Sequence, residues 1–316
     1  MFKLAVQTGG LEEPYGIDGA YRLIAETGFE GADANIDHLM TPSRLRAKEE
    51  IPPLLRKGAD EREMLELFRP WKEGAEKYGV ENYQAHAPFP SILPPEGPAD
   101  GAYNEAILEL LRRTIIGSAY VGARNLVIHP FFFPYDYMGT WEEEWEMNKN
   151  GYLSLAQTAA ENGVTICLEN MFRAYKNKRI GATCSNAPDA IAYIDRLNDL
   201  AGQKVFGFCL DTGHAFLSSQ DVRDFMVRLG DRISCFHVHD NDGVGDLHLA
   251  PYSGGQDWDR FADGLARINF RKTLSFETFR ACSTTAPELV PEVLKLIEQS
   301  GRLFDRKAEE YRRAYV

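Results

Sequence analysis

At 316 residues the chain is long enough for one large α/β domain or two ordinary ones, and its 44% hydrophobic and 26% charged residues are those of a soluble globular protein. No run approaches the roughly 18 consecutive apolar residues of a membrane helix. The 47 acids against 35 Lys plus Arg, a net charge of −12, disfavour nucleic acid as a partner, because phosphate binding draws on basic surface.

The opening MFKLAVQTGG enters a strand directly and lacks the three-part pattern of a secretory signal. Five cysteines without a CxxC pair fit reduced thiols, so a cytoplasmic setting is expected. In chain order, a strand is predicted over 2–7 and a helix over 17–27, closed by Gly28. A second strand covers 29–34, an irregular proline-bearing stretch 35–60, and a helix 61–78. Strand three, 82–86, is followed by a loop over 88–100 and an amphipathic helix over 102–120. Strand four, 125–129, precedes a dense aromatic insertion within 131–150, beginning FFFPYDYMGTWEEEW, and a helix ending near Asn162. Strand five, 164–169, leads into a basic loop with Arg173, Lys176, Lys178 and Arg179. A helix over 187–197, strand six at 205–210, a helix over 221–229 and strand seven at 232–237 come next. A loop to 258, a helix over 259–268, strand eight at 272–277, a helix over 287–300 and a charged tail over 301–316 complete the chain.

Eight strands alternating with eight helices, with no boundary between them, predict a single (β/α)8 TIM barrel over 1–316, α/β in class, with its long loops at the C-terminal face. A doubly wound sheet ordinarily carries GxGxxG or GxxxxGK after an early strand, and neither is present. Six strands end in, or just before, a residue that can bind a metal: His86, His129, Glu169, Asp211, His237 and Glu277. Cys167, Cys209 and Cys235 lie two residues before Glu169, Asp211 and His237, so strand alternation points each thiol the same way one layer deeper, as packing. Singly, each candidate has a plainer reading: a lone histidine is more often a hydrogen-bonded core residue, and a lone glutamate an ion-pair partner. Together they are harder to dismiss, because unpaired carboxylates converging in a barrel mouth are costly unless a cation joins them. Glu169, Asp211, His237 and Glu277 make a mixed hard and borderline donor set suited to one divalent ion, Mn²⁺, Zn²⁺, Co²⁺ or Mg²⁺.

The motifs HAP at His86, HP at His129, EN at Glu169, DTGH at Asp211, HVHDNDG from His237, DLHLAP from Asp246, DW at Asp257 and ET at Glu277, in this order, resemble the xylose isomerase-like TIM barrels. That superfamily includes sugar phosphate isomerases and epimerases and also endonuclease IV. The resemblance implies that Glu169, Asp211, His237 and Glu277 hold the metal, and that Glu169 and Glu277 also act as acid and base. It implies substrate contacts for His214, and His86, His129, Arg173 and His248 are taken as further substrate-binding candidates. The expected activity is metal-dependent isomerisation or epimerisation of a small sugar or sugar phosphate through a metal-stabilised enediolate, with a homo-oligomer compatible and no membrane partner.

The rival within the superfamily is an endonuclease IV-like multi-zinc phosphodiesterase acting on abasic DNA, which would place additional metals at His86 and His129 or at His214, Asp246 and His248. The acidic balance and the aromatic insertion speak against it. A sugar or inosose dehydratase would share the same site, and a non-catalytic sugar-binding barrel is the remaining class. His239 is expected outside the ligand set, and YSGGQDW carries Gln256 where a glutamate is usual, which leaves the contacts of that loop open. The aromatic insertion is either a lid over a sugar or a packing element. Arg173, Lys176, Lys178 and Arg179 either meet a substrate anion or form a solvated loop.

Overall fold

The computed structural model describes residues 1–91, 98–131, 133, 139–176 and 178–315. Ten strands are present among the described residues: β1 Lys3–Gln7, β2 Gly31–Ala34, β3 Glu81–His86, β4 Asn125–Val127, β5 Thr165–Glu169, β6 Phe172–Tyr175, β7 Lys178–Gly181, β8 Phe206–Asp211, β9 Ile233–His237 and β10 Thr273–Phe276. Eight of them form one parallel sheet in the order β10-β1-β2-β3-β4-β5-β8-β9. Its free edges meet where Val238 pairs with Phe276, the Val238 amide donating to the Ser275 carbonyl at 2.9 Å. The sheet is therefore the near-closed barrel of an α/β TIM fold, with helices between the strands.

Local chemistry sets the helix ends. Thr140 and Glu143 form a reciprocal capping box on helix Trp141–Asn162, and Gly163 ends it in the left-handed region. Asn186, Asp221 and Asp257 each accept an amide proton at a helix start. The predicted helix over 61–78 is instead two, Glu61–Glu66 and Arg69–Tyr78, because Pro70 at the start of the second cannot continue the first. The predicted tail over 301–316 continues helix Val290–Ala314 through Ala314. Its apolar stripe extends past 300: Phe304 and Ala308 are fully buried, and the Phe304 ring stacks on Trp258 at 5.1 Å. Residues 92–97 of the loop predicted over 88–100 lie outside the described residues, and the following helix begins earlier than expected, at Pro98.

Two register shifts bear on function. Pairing between β8 and β9 runs from Phe208–Ile233 to Cys209–Cys235, and so sets Asp211 beside His237; an unbroken ladder would set it beside Phe236. A similar shift between β2 and β3 sets Asp33 beside Gln84. Below these residues Cys167, Cys209 and Cys235 pack with Val127 in a small buried layer, against which the partly buried Tyr83 rests. No helix among the described residues is long and apolar enough to cross a membrane.

Candidate metal centre

Glu169 ends β5, Asp211 ends β8, His237 ends β9 and Glu277 follows β10, so barrel closure brings all four to one depth. Their ligand atoms lie within 4.8 Å of one another, and all four residues are buried. His237 Nδ1 stands 3.2 Å from Glu169 Oε1 and 3.5 Å from Glu277 Oε2. Burial works against charge on His237, Glu169 and Glu277. It pushes the His237 imidazole down, but Glu277, Glu169 and Asp33 overcome it and hold the group well above its ordinary range. Burial likewise pushes Glu169 up, and His237 and His129 bring it well below the carboxylate range; Glu277 is held low against burial by His237 and His248. Three carboxylates and one imidazole are donors a divalent cation accepts, and a bound cation would supply the positive charge that protonated imidazoles otherwise provide.

Sequence reasoning missed the residues beneath this set. Asp33, fully buried at the end of β2, places Oδ2 3.2 Å from His237 Nε2 and accepts from Gln84 Nε2 at 2.6 Å, which fixes the ring with Nδ1 toward the two glutamates. Gln7 donates to Glu277 Oε1 at 3.2 Å. Asn170 clasps the Asp211 backbone through a pair of 2.8 Å hydrogen bonds. An acid at the end of FEGAD was the available signal for Asp33.

Asp37, in the 3-10 turn Ile36–Met40, is a second buried acid nearby. Burial pushes its carboxyl up to about 7, with His38 only partly opposing this. The folded state then holds this proton more tightly than the unfolded chain, so stability should fall as pH rises from about 4 to about 7. Asp37→Asn should remove that dependence and stabilise by on the order of 3 kcal/mol at pH 7.5, with no gain near pH 4. Melting temperatures across this range test it, and a gain independent of pH would count against the assignment.

Two further groups flank the first. His86, His129 and Glu169 converge, with His86 Nε2 3.0 Å from His129 Nε2 and His129 Nε2 3.0 Å from Glu169 Oε2. His86 is pushed down to about 4 by burial and by the neighbouring His129 and His237. The other group contains His214, Asp246 and His248 together with His239, which stands outside the Glu169, Asp211, His237 and Glu277 set. Strand alternation turns it inward, two residues past His237: its Nε2 is 3.0 Å from Asp211 Oδ2 and its ring stacks on His248 at 4.1 Å. Gly213 makes room, since a Cβ there would lie 2.0 Å from the His239 ring. His214 sits in the short helix Thr212–Leu217, which Asp211 caps; burial would lower it, but Asp211, Asp246 and Glu169 raise it to about 10. His248 adopts φ 43°, a costly value for a residue with a side chain, and its ring is fixed at 3.0 Å to both the Glu277 carbonyl and Asp246 Oδ2. Gln256 is accommodated through Asp240, which accepts from the amides of Gly254 and Gln256 and from Trp258 Nε1.

A cavity of about 470 Å³ opens above these groups. His86, His129, Glu169, Arg173, His214, His248 and Glu277 line it, whereas Asp211 and His237 lie sealed beneath. The basic loop predicted after strand five is an antiparallel hairpin, β6–β7, whose Phe172 and Arg173 reach the cavity. The aromatic insertion divides. Phe131 is core, packed on Tyr152 with its backbone held by Asn148. Trp141 and Trp145 stack at 5.9 Å and pack on Tyr193, while Phe133 lines the cavity. Phe132, Tyr135 and Tyr137 lie outside the described residues.

Residues 21–300 match the family model of the xylose isomerase-like TIM barrel. The chain is 30% identical over 173 residues to "Uncharacterized protein y4fM" of Sinorhizobium fredii, a match covering 54% of this chain and about half, 52%, of that protein. Among solved structures it resembles L-ribulose 3-epimerase (16% identity, 98% of this chain and 96% of that one, TM-score 0.71). It also resembles the IOLI protein with a binding zinc atom (16% identity, 98% and 99%, TM-score 0.65). With the matched span running from the first helix almost to the end of the described chain, this protein belongs to the xylose isomerase-like TIM barrel family.

Proposed function

We propose that this protein is a divalent-metal-dependent isomerase or epimerase of a small sugar or sugar phosphate. One observation carries the reading: Glu169 and Glu277, from strands separated by two others around the barrel, meet at His237 with Asp211 completing the donor set. A divalent ion held by these four would stabilise negative charge developing on a substrate carbonyl oxygen. Each glutamate also has a second oxygen directed elsewhere, Glu169 Oε2 toward His129 and Glu277 Oε1 toward Gln7. Two carboxylates so arranged suit proton removal from the carbon beside a carbonyl by one and proton delivery by the other. Return to the same carbon on the opposite face gives an epimer, and return to the neighbouring carbon gives aldose–ketose exchange. His214 and His248, protonated against burial by the surrounding acids, can donate hydrogen bonds to substrate oxygens. The likeness to L-ribulose 3-epimerase and to the zinc-holding IOLI protein supports this reading.

The two flanking clusters favour a second reading, a multi-zinc phosphodiesterase acting on abasic DNA. Metal analysis of the purified protein, run beside a solvent-deuterium exchange screen of ketoses and ketose phosphates, separates the two. One metal per chain with exchange beside the carbonyl is expected; three zinc ions and nicking of an abasic duplex would replace the first reading by the second. Asp33 acts here as a positioning residue, so Asp33→Asn should weaken divalent-ion binding by about 10–100-fold, read by chelator competition. Unchanged affinity would remove Asp33 from the account.

A further inference from the structure

The cavity floor is built from acids and imidazoles, and most of its walls are apolar, with Phe89, Phe133, Phe172 and Phe279 among them. Arginines enter it at the mouth, as Arg46, Arg173 and Arg179. They come from two places in the chain: Arg46 ends the short helix Pro42–Arg46 after β2, and the other two sit on the β6–β7 hairpin. Arg173 places Nη1 4.0 Å from Glu144 Oε1, and Glu144 itself accepts from Thr183. Arg46 and Arg179 form no ion pair with any described residue, although acids outnumber Lys plus Arg by 47 to 35 in the chain. The Arg179 guanidinium instead lies over the Phe172 ring, 5.6 Å from its centroid, and that ring packs edge-on to His214 at 4.9 Å. One stack thus links the cation at the mouth to the floor.

We infer that the sugar handled by this site carries a terminal anionic group, a phosphate monoester or a carboxylate, received at the cavity mouth by Arg46 and Arg179 with Arg173 beside them. The inference rests on the sugar-chemistry reading above and specifies its substrate class. A guanidinium presents a planar fork that meets either anion with two parallel hydrogen bonds, and apolar walls strengthen such contacts by excluding water. The separation of charge along the cavity also fixes orientation. An anionic end held by the arginines leaves the neutral carbonyl end to go down among the carboxylates and imidazoles.

Calorimetric binding of a pentulose 5-phosphate, a hexulosonate and a neutral pentulose to the protein as purified tests this, with Arg46→Gln and Arg179→Gln in parallel. At least one anionic ketose should bind about tenfold or more tighter than the neutral one, and each substitution should remove about tenfold of that preference. The stronger of the two anionic ligands identifies phosphate or carboxylate. Equal binding of the neutral pentulose, or a preference that survives both substitutions, would overturn the inference. Deuterium exchange with the same three ligands keeps the two claims apart. Preference without exchange retains the anion site and defeats the isomerase reading, and exchange of neutral pentulose without preference does the reverse.

Discussion

Glu169→Gln and Glu277→Gln should each cut proton exchange into substrate by about 10³-fold or more, near the upper part of what a positioned acid or base contributes. Glutamine keeps the size of the side chain and an oxygen that can still accept a hydrogen bond, so the contacts of Glu277 to Gln7 and of Glu169 to His237 can persist. What disappears is the ability to hold a proton. Both carboxylates are held well below their ordinary range by the imidazoles around them, so each can act as a base, and whichever one delivers the proton must first take one up. The fold should survive, because the barrel is carried by eight paired strands and an apolar core outside this cluster. Deuterium incorporation followed by NMR, with circular dichroism and a thermal melt on the same samples, reads chemistry and folding separately. Turnover within about tenfold of the parent in either folded variant would leave the two-carboxylate mechanism without support. Loss in one variant alone would identify a single base.

The strand ends were the most legible part of this chain, because each is a short apolar run stopped by an acid or histidine, and alternation says which side chains share a face. That logic brings Glu169, Asp211, His237 and Glu277 together once the sheet closes. The same alternation turns His239 inward, outside the Glu169, Asp211, His237 and Glu277 set but beside His214, Asp246 and His248. Asp33 was passed over because the bulge between β2 and β3 that sets it beside Gln84 leaves no mark in FEGADA. The β6–β7 hairpin was read as a charged loop, since four-residue strands rich in Arg and Lys lack apolar alternation on an exposed ribbon. The helix beyond residue 300 was readable, from Ile297, Phe304 and Ala308 on one face, but the density of charge around them obscured the stripe.

Stripping divalent ions should abolish exchange and also lower the melting temperature, and the size of that second effect should grow with pH. Any ligand that binds only the folded state stabilises it by mass action, about 4 kcal/mol when free metal is a thousandfold above its dissociation constant. The pH dependence follows from the imidazoles. In the stripped protein His237 and His214 are raised above their unfolded value of 6.5, His214 to about 10, against the effect of burial. A raised imidazole contributes stability that is fully present below its unfolded pKa and is lost as pH rises through the folded one. The stripped site therefore holds itself together with protons below about pH 6.5 and progressively loses that compensation toward pH 10. The metal-loaded site does not depend on those protons, and His237 must in fact release its own before Nδ1 can act as a donor. Raising pH from 6 to 9 should thus widen the melting-temperature gap between loaded and stripped protein while tightening metal binding. Glu169 and Glu277 add nothing to this slope, since both are held low and titrate well below the window. Asp211→Asn, which takes one carboxylate from the donor set while leaving its helix-capping oxygen, should shrink the gap at every pH. A gap that stays constant between pH 6 and 9, or that Asp211→Asn leaves untouched, would mean that the ion binds elsewhere on the protein.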